Sequence, residues 1–586
     1  MSEPTLDFRN VNSLWSSVLV ETLIRMGVSY AVVSPGSRST PLAFALAQHP
    51  GVEAIPVLDE RSAAFFALGL ARQYLRPVVL LCTSGTAGAN YYPAIIEAYE
   101  SGAPLIVITA DRPPEMRDCA SGQTINQQSL FGHYVNFHHE LAVPEATESL
   151  LKYLRQTVAH ACTRASVPYL GPVHLNAPFR DPLAPISDNS TDVVSGSVNW
   201  SQFFNHITPA PAVEQVSRVP QFSNDVHGLI VVGPAQPRDP ASFAASVGEI
   251  ARKLGWPILT DALSPARNYS HMILNQVTTY DAILRNPTTA ERLLPEVVLC
   301  LGGWPTSKVL RGWLETSKAP MYIVTGRPDN RDALHGSTKH IPVSMRALIA
   351  ALPEATAPNG YNQMWRSYES SARAIIDTRL EAELDLFETK AVWLLARHLP
   401  EETPLYIASS MPVRDAEYVW PTQSRRIRPF FNRGANGIDG TLSTAIGVAH
   451  DNRSTVLLTG DLALLHDSNG FLLHRKLRGS LTIVLINNQG GGIFEHLPVA
   501  KFDPIFEEYF ATPQQVDFSG IAAAHGVEYT MVQDWHHFRD LIANLPTSGI
   551  RLLEVQTNRK NDAAMRKQLF AEASQFGEFT DHLSDS

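Results

Sequence analysis

The sequence of 586 residues lacks the features that mark membrane, secreted and disulfide-rich proteins. It has no apolar run of roughly 18 residues or more, the length that a membrane-spanning helix requires. Its N-terminus, MSEPTLDFRN, lacks the apolar core of a secretory signal. Its four cysteines are dispersed and form no Cys-x-x-Cys pair, which argues against a disulfide framework or a zinc site. We therefore expect a cytoplasmic protein without a membrane span.

The sequence also has fewer basic than acidic residues. The chain has 47 Lys and Arg against 57 Asp and Glu, a formal net charge of −10, and no long basic run. Since nucleic-acid binding depends on clustered Lys and Arg, we expect no nucleic-acid partner. If the substrates are anions, individual arginines must hold them against the overall negative field.

The chain is too long for one hydrophobic core, because domains usually hold about 100–200 residues. Short apolar runs alternate with helical patterns throughout, as is typical of parallel sheets covered by helices. We therefore predict an α/β fold of three consecutive open parallel-sheet domains. The predicted domains are residues 1–185, 222–352 and 365–586, joined by linkers at 186–221 and 353–364. The predicted strands are residues 30–34, 77–83, 104–109, 173–175, 229–232, 257–259, 297–301, 322–324, 405–408, 456–458, 481–486 and 552–555.

Two polar turns follow predicted strands of the third domain. TGDLA, which contains Asp461, follows residues 456–458, and NNQGGG, which contains Asn488 and Gly490, follows residues 481–486. Ligands of open α/β sheets bind beyond the carboxyl ends of the strands. Carboxylate, amide and carbonyl oxygens are the ligands that Mg²⁺ prefers. Either motif alone is also ordinary turn chemistry, but the pair favours a metal site formed by Asp461, Asn488 and Gly490.

This pair of motifs resembles the signature of thiamine diphosphate (ThDP) enzymes, in which Gly-Asp-Gly precedes Asn-Asn. Here Leu462 stands at the third position of the first motif. The resemblance implies that Mg²⁺ or Mn²⁺ holds the diphosphate of the cofactor. It also implies that Gly460, Leu462 and Ala463 contact ThDP.

Activation of ThDP requires a carboxylate against its pyrimidine ring, which is acid–base chemistry relayed through the cofactor. The candidate is Glu60, which precedes a predicted helix at residues 62–72. Two alternatives remain open at this point. Glu60 could be a first-turn acid favoured by the helix dipole, and Asp59 is a rival carboxylate in the same turn.

Further motifs follow strands of the first and third domains: SPGSRSTP at 34–41, TSGTA at 83–87, TADRPPE at 109–115 and NRGANGIDG at 432–440. As a set they resemble the 2-succinyl-5-enolpyruvyl-6-hydroxy-3-cyclohexene-1-carboxylate (SEPHCHC) synthase family of menaquinone and phylloquinone biosynthesis. The resemblance implies decarboxylation of 2-oxoglutarate and 1,4-addition of the succinyl carbanion equivalent to isochorismate. It also implies a homodimer or homotetramer. No Gly-x-Gly-x-x-Gly follows a predicted strand of the second domain, so the dinucleotide-binding fingerprint is missing.

The same resemblance assigns roles to individual residues, many of them arginines, whose planar guanidinium groups pair bidentately with carboxylates. Val309 stands where the family often has Arg, and Arg311 is a candidate substitute. The assignments are Ser37 and Arg38 at isochorismate; Arg112 and Gln123 facing the reacting carbons; Lys308 reaching in from the middle domain; Ser410, Arg414 and Arg433 holding carboxylates; Ile493, Phe494 and Leu497 lining the acyl pocket, with Ile493 also against the cofactor; and Ile438 supporting bent ThDP.

Two other functions remain open. The chain could be a different ThDP-dependent 2-oxo acid decarboxylase or carboligase, although such enzymes need fewer arginines after their strands. It could also be a catalytically inactive ThDP-binding or nucleotide-binding regulatory protein. Joint retention of Glu60, Asp461 and Asn488 argues against inactivity.

Overall fold

The computed structural model of the protein describes residues 3–210, 219–223, 226–327, 329–353 and 360–575. Within these residues, three six-stranded sheets form, and their strand pairs are parallel. The predicted α/β fold of three parallel-sheet domains is confirmed. Among the helices of this part of the chain, none combines the length and apolar character needed to cross a membrane.

The strands within each sheet are numbered in chain order. The first sheet has the order β2-β1-β3-β4-β6-β5, the second β12-β11-β10-β7-β8-β9 and the third β14-β13-β15-β16-β18-β17. Their bounds are β1 Tyr30–Val33, β2 Glu53–Pro56, β3 Val78–Cys82, β4 Leu105–Asp111, β5 Phe137–Glu140, β6 Val173–Pro178, β7 Gly228–Val232, β8 Ile258–Thr260, β9 Gln276–Val277, β10 Val297–Leu301, β11 Met321–Val324, β12 Thr338–Ile341, β13 Pro404–Ile407, β14 Arg428–Phe430, β15 Thr455–Gly460, β16 Ser480–Asn487, β17 Glu528–Met531 and β18 Gly549–Gln556.

The chain divides into two compact units. The first comprises Met1–Val213, Asn432–Asn452 and Leu465–Gly479, and the second comprises Glu214–Phe431, Arg453–Leu464 and Ser480–Ser586. Two stretches of the predicted third domain therefore pack with the first unit. The second unit contains the second and third sheets.

The first unit surrounds the first sheet with helices. Their bounds are Val11–Arg25, Thr40–Gln48, Glu60–Tyr74, Ala87–Asn90, Tyr92–Ser101, Glu148–Ser166, Asp192–Ser197, Trp200–Phe203 and Thr441–Ala449, with 3-10 helices Pro114–Met116 and Ser468–Lys476. Part of the predicted linker at 186–221 is helical here, and its Val194, Phe203 and Phe204 are buried in the core of this unit. Residues 211–218 of that linker, and 354–359 of the other, lie outside the described residues.

The second unit contains the remaining helices. Their bounds are Pro240–Leu254, Tyr280–Ile283, Pro287–Arg292, Lys308–Ser317, Met345–Ala351, Gly360–Ala382, Glu388–His398, Met411–Val419, Phe518–His525, Trp535–Ala543 and Arg559–Ala573, with 3-10 helices Pro265–Asn268, Gly492–His496 and Pro498–Lys501 and the π-helix Glu507–Ala511; Asp461–His466 contributes residues to both units.

Two features join the second and third sheets within the second unit. Helix Gly360–Ala382 packs Trp365 in the core of the second sheet and Ile376 in that of the third. The fully buried Arg267 lies 3.1 Å from a carboxylate oxygen of Glu417, which is also buried. Burial, and then the charge of nearby Asp261, raises the pKa of Glu417 to about 8.

Helices Glu60–Tyr74 and Thr441–Ala449 cross at two glycines of the first unit. A Cβ on Gly69 would lie 2.1 Å from the carbonyl oxygen of Thr444, and one on Gly447 would lie 2.2 Å from that of Phe66. Since both neighbours are backbone atoms, a methyl group at either glycine requires the helices to separate. This close crossing fixes the helix that begins at Glu60.

Gly69→Ala should therefore destabilise the protein by about 1–3 kcal/mol, the usual cost of overpacking. The matched control is Gly312→Ala, because Gly312 also lies inside a helix but has nothing within 4 Å of its Cβ position. That control should gain about 0.5–1 kcal/mol from reduced backbone entropy. Calorimetric unfolding of both variants measures the difference, and equal transition temperatures would contradict the close crossing.

Candidate active site

The carboxyl ends of β15 and β16 meet in the third sheet, where Gly460 pairs with Ile486. Asp461 follows β15 directly and is 5% exposed. Its two carboxylate oxygens accept hydrogen bonds from the backbone N–H of Leu462, at 2.8 Å, and of Gly490, at 2.7 Å. Burial raises the pKa of Asp461 to about 6. The carboxylate thus connects the two polar turns that follow β15 and β16.

Asn488 is the second predicted cation ligand and is also buried. Its Nδ2 donates to a carboxylate oxygen of Glu388 at 3.0 Å. Its Oδ1 is buried and has no hydrogen-bond partner among the described residues. An unsatisfied buried oxygen costs about 1–3 kcal/mol, so a bound cation would remove this penalty.

Gly490, the third predicted ligand, has a φ of 132°. A Cβ there would lie 2.3 Å from the carbonyl oxygen of Ala511, so only glycine fits this turn. The Gly490 carbonyl accepts from the N–H of Gly492 at 2.9 Å, and a carbonyl has a second lone pair. A buried carboxylate, a partnerless amide oxygen and a carbonyl form a donor set that fits Mg²⁺ or Mn²⁺.

The structure distinguishes the two acidic residues at the start of helix Glu60–Tyr74. Asp59 is the N-cap: one carboxylate oxygen accepts from the Ser62 N–H at 3.0 Å and the other from Asn469 at 2.7 Å. The half-buried carboxylate of Glu60 has no hydrogen bond or ion pair within the described part of the chain. Asp59 is therefore occupied by structural hydrogen bonds, whereas the Glu60 carboxylate is available to contact a bound group.

The predicted substrate-contacting residues of the first unit lie around Ser84, just after β3. Arg112 donates to the Ser84 hydroxyl and, at 2.9 Å, to the Gly122 carbonyl, while Gln123 donates to the Ser84 carbonyl at 2.9 Å. The loop of Ser37 lies against the same turn, since the Arg38 N–H donates to Thr83 at 3.3 Å.

Arg38 and Arg112 both retain unused donor capacity. Their Nε atoms are buried and have no hydrogen-bond partner in the described residues. Burial, and then the charge of Arg112, lowers the pKa of Arg38. Because the positive charges of Arg38 and Arg112 repel each other, a bound anion would be favoured beside them.

A cavity of about 880 Å³ opens in the second unit and contains many of the remaining predicted residues. Lys308 at the start of helix Lys308–Ser317 and Arg414 in helix Met411–Val419 both line it. The cavity is rich in cations and apolar side chains, namely Arg285, Lys308, Arg414, Lys501, Lys560, Arg566 and Lys567 together with Ile493, Phe494, Leu497 and Phe570.

Ser410 and Arg311 flank Arg414. Ser410 has a φ of 75°, a strained value for a residue other than glycine, and its carbonyl accepts from Arg414 at 2.6 Å. Burial lowers the pKa of Arg414, and the charge of Arg311 lowers it further. Arg311, the candidate substitute for the family arginine at Val309, is therefore close enough to affect the electrostatics of Arg414.

Arg433 and Ile438 belong to the first unit, whereas the residues that line the cavity belong to the second. Their loop is anchored by Glu97, whose carboxylate accepts from the N–H groups of Gly434, at 2.9 Å, and Ala435, at 2.6 Å. Glu97 could not be predicted from the sequence, because a lone acid inside an apolar helix belongs to no motif.

A second group of possible ligands lies outside the predicted site. Glu53, His450 and Asp451 have ligand atoms within 4.8 Å of one another. The guanidinium of Arg478 pairs with both carboxylates. Positive charge is therefore already present there, and this group is best described as an ion-pair cluster.

Comparison with known proteins first defines the class of enzyme. The chain matches the N-terminal TPP-binding domain of thiamine pyrophosphate enzymes at residues 15–130, their middle domain at 198–407 and their C-terminal TPP-binding domain at 413–555. The fold is thus that of a ThDP enzyme.

Individual relatives narrow the family. The chain is 53% identical to SEPHCHC synthase of Microcystis aeruginosa, over 95% of this chain and 98% of the relative. It is 50% identical to the synthase of Acaryochloris marina (97% and 99%) and 49% identical to that of Gloeothece citriformis (96% and 98%). The chain belongs to the SEPHCHC synthase family.

Asp461→Ala should abolish measurable ThDP binding in the presence of Mg²⁺, because the diphosphate would lose its bridging cation. The connection to Gly490 would be lost as well. Isothermal titration calorimetry of ThDP at fixed Mg²⁺ measures this. An unchanged, Mg²⁺-dependent affinity in a folded variant would refute the assignment.

Proposed function

We propose that this protein decarboxylates 2-oxoglutarate and adds the resulting succinyl carbanion equivalent to isochorismate, with ThDP and Mg²⁺ or Mn²⁺ as cofactors. The products would be SEPHCHC and CO₂. The observation that carries the proposal is the partnerless Oδ1 of Asn488 next to the loop contact of Asp461 and Gly490. Membership of the SEPHCHC synthase family supports the choice of substrates.

When bound, ThDP supplies a thiazolium group that stabilises the carbanion left by decarboxylation. Asp461, Asn488 and the Gly490 carbonyl would hold the cation. Glu60 would hold a proton at a ring nitrogen of the pyrimidine, for which its carboxylate is available.

The two substrates bring several carboxylates to a protein of net charge −10. Arg38 and Arg112, with their buried partnerless Nε atoms, would bind a carboxylate of isochorismate. Lys308 and Arg414 would bind 2-oxoglutarate in the cation-rich cavity. The apolar walls of that cavity, among them Phe494, would exclude water from the reacting carbons.

The direct test incubates the protein with 2-oxoglutarate, isochorismate, ThDP and Mg²⁺ and measures the product mass. Formation of SEPHCHC only when both substrates are present supports the proposal. Succinic semialdehyde with or without isochorismate would instead indicate a simple decarboxylase. Absence of CO₂ release under all conditions would indicate an inactive binding protein.

We also propose a cytoplasmic homodimer or homotetramer. The four cysteines are all free thiols, as expected in a reducing compartment. Exposed Phe502, Ile505 and Tyr509 supply apolar surface that a second copy could cover. Light scattering would give a molar mass of two or four times the 64.4 kDa chain.

Replacement of Glu60 by Gln should slow exchange of the ThDP C2 proton by about 10²–10⁴-fold, the usual contribution of an acid–base group. ThDP and Mg²⁺ should still bind, because Gln keeps the shape of the side chain. Hydrogen–deuterium exchange followed by NMR after an acid quench measures the rate.

Asp59→Asn is the control, since Asn can still cap the helix but lacks the charge. It should exchange C2 at close to the parental rate. Fast C2 exchange in the Glu60 variant would contradict the acid–base role of Glu60. Slow exchange only in the Asp59 variant would indicate that Asp59 has this role instead.

The alanine variants of Arg112 and Arg414 should fold and bind ThDP but lose kcat/KM. A charged hydrogen bond is worth about 1.5–3 kcal/mol, roughly 10- to 100-fold in rate. Arg112→Ala should raise KM mainly for isochorismate and Arg414→Ala mainly for 2-oxoglutarate. Near-normal kinetics for both substrates would exclude these roles.

A further inference from the structure

A buried carboxylate contacts the proposed cation ligand from the side opposite its free oxygen. Glu388, at the start of helix Glu388–His398, is 3% exposed. One of its oxygens accepts from Asn488 Nδ2 at 3.0 Å, and the other pairs with the guanidinium of Arg566. Glu388 is thus the structural neighbour that decides how the Asn488 side chain is oriented.

The chemistry of the two groups determines that orientation. A carboxylate only accepts hydrogen bonds, whereas a primary amide has a donor end and an acceptor end of nearly equal size. With its NH₂ group on Glu388, the Asn488 amide must present Oδ1 on the other side. Oδ1 is the atom that lacks a partner in the structure. A reversed amide would present hydrogen atoms, which repel a cation.

Arg566 in turn holds Glu388. It is 1% exposed, and it also donates to Asp415 at 2.8 Å and to His496 Nε2 at 2.9 Å. Because a guanidinium only donates, it holds Glu388 and Asp415 as acceptors in a buried setting where an unpaired charge would be costly. Both Arg566 and His496 line the large cavity, so one side chain contacts the pocket wall and the support of the cation ligand.

We propose that Glu388, held by Arg566, is a positioning residue that fixes the Asn488 amide with Oδ1 toward the cation site. The inference rests on the proposed cation site at Asp461 and Asn488. Residues that orient a metal ligand in this way typically contribute about 10–100-fold to metal affinity.

Glu388→Gln tests the orientation directly, because it reverses the polarity of the contact. Arg566 can only donate, so it should take the Gln oxygen and leave the Gln NH₂ against Asn488. That NH₂ requires an acceptor, so the Asn488 amide should turn its own NH₂ toward the cation site. The affinity of the apoenzyme plus ThDP for Mn²⁺ should fall about 10- to 100-fold, as measured from free Mn²⁺ by electron paramagnetic resonance.

A second substitution should then restore binding. In the double variant Glu388→Gln/Asn488→Asp, the Asp carboxylate can accept from the Gln NH₂ and present its other oxygen to Mn²⁺. The double variant should therefore bind Mn²⁺ more tightly than Glu388→Gln alone. Asn488→Asp alone should bind Mn²⁺ more weakly than the parent, because the new carboxylate would face that of Glu388.

Two further variants separate positioning from folding. Glu388→Asp keeps the charge but is one methylene shorter, so it cannot reach Asn488 and Arg566 together, and Mn²⁺ affinity should fall. Glu369→Gln is the matched control, since Glu369 accepts from Thr278 and Thr279 in the same unit and belongs to no predicted site. It should bind Mn²⁺ normally, and thermal unfolding of each apoprotein verifies folding.

The inference is overturned if folded Glu388→Gln or Glu388→Asp binds Mn²⁺ as the parent does, or if the double variant is no tighter than Glu388→Gln. If the Gln variant does not fold, the Asp variant decides. Asp461→Ala, measured in parallel, distinguishes this failure from failure of the proposed function. Unchanged Mn²⁺ affinity in Asp461→Ala would refute the proposed cation site. If Asp461→Ala loses Mn²⁺ affinity while the Glu388 variants keep it, only the role of Glu388 is refuted.

Discussion

The hydrogen bond from the Gly490 N–H to the Asp461 carboxylate is the contact on which the site depends. It connects the loops that follow two neighbouring strands, so the parallel register of β15 and β16 is converted into a fixed arrangement of oxygen atoms. Gly490 can make this contact because its φ of 132° and its close approach to Ala511 require glycine. The Oδ1 of Asn488, which is buried without a hydrogen-bond partner among the described residues, would bind a cation only together with that carboxylate.

Anion binding depends on a different constraint: local Arg and Lys side chains must attract anions to a protein whose net charge is negative. The net charge of −10 would repel dicarboxylates from most of the surface. In the first unit, Arg38 and Arg112 keep buried donors unused, and in the second unit a cavity collects seven Lys and Arg side chains. Burial lowers the pKa of Arg38 and of Arg414, so a bound anion would offset the cost of desolvating these two cations.

The sequence predicted the four inner strands of every sheet, but among the edge strands it indicated only a short strand before Glu60, which corresponds to β2. Inner strands such as Val78–Cys82 are buried on both faces and read as continuous apolar runs. Edge strands such as Phe137–Glu140 and Thr338–Ile341 are half exposed and contain His, Lys or Glu, so they resemble loops. Their pairing is decided by tertiary contact, which local composition does not reveal.

The site divides in the same way. Asp461 and Asn488 were predicted from the sequence because each lies in a motif directly after a strand. Glu388 and Arg566 were missed, because each is a single residue far from Asn488 along the chain, and only the fold brings them together. The choice between Asp59 and Glu60 also needed coordinates, since both are acids at one helix start and only their hydrogen bonds differ.

The most direct test of this account is a crystal structure of the protein with ThDP and Mn²⁺, in which anomalous scattering locates the metal. We expect one strong Mn²⁺ peak within coordination distance of a carboxylate oxygen of Asp461 and of Asn488 Oδ1. A peak at Glu53, His450 and Asp451, with none at Asp461, would contradict it.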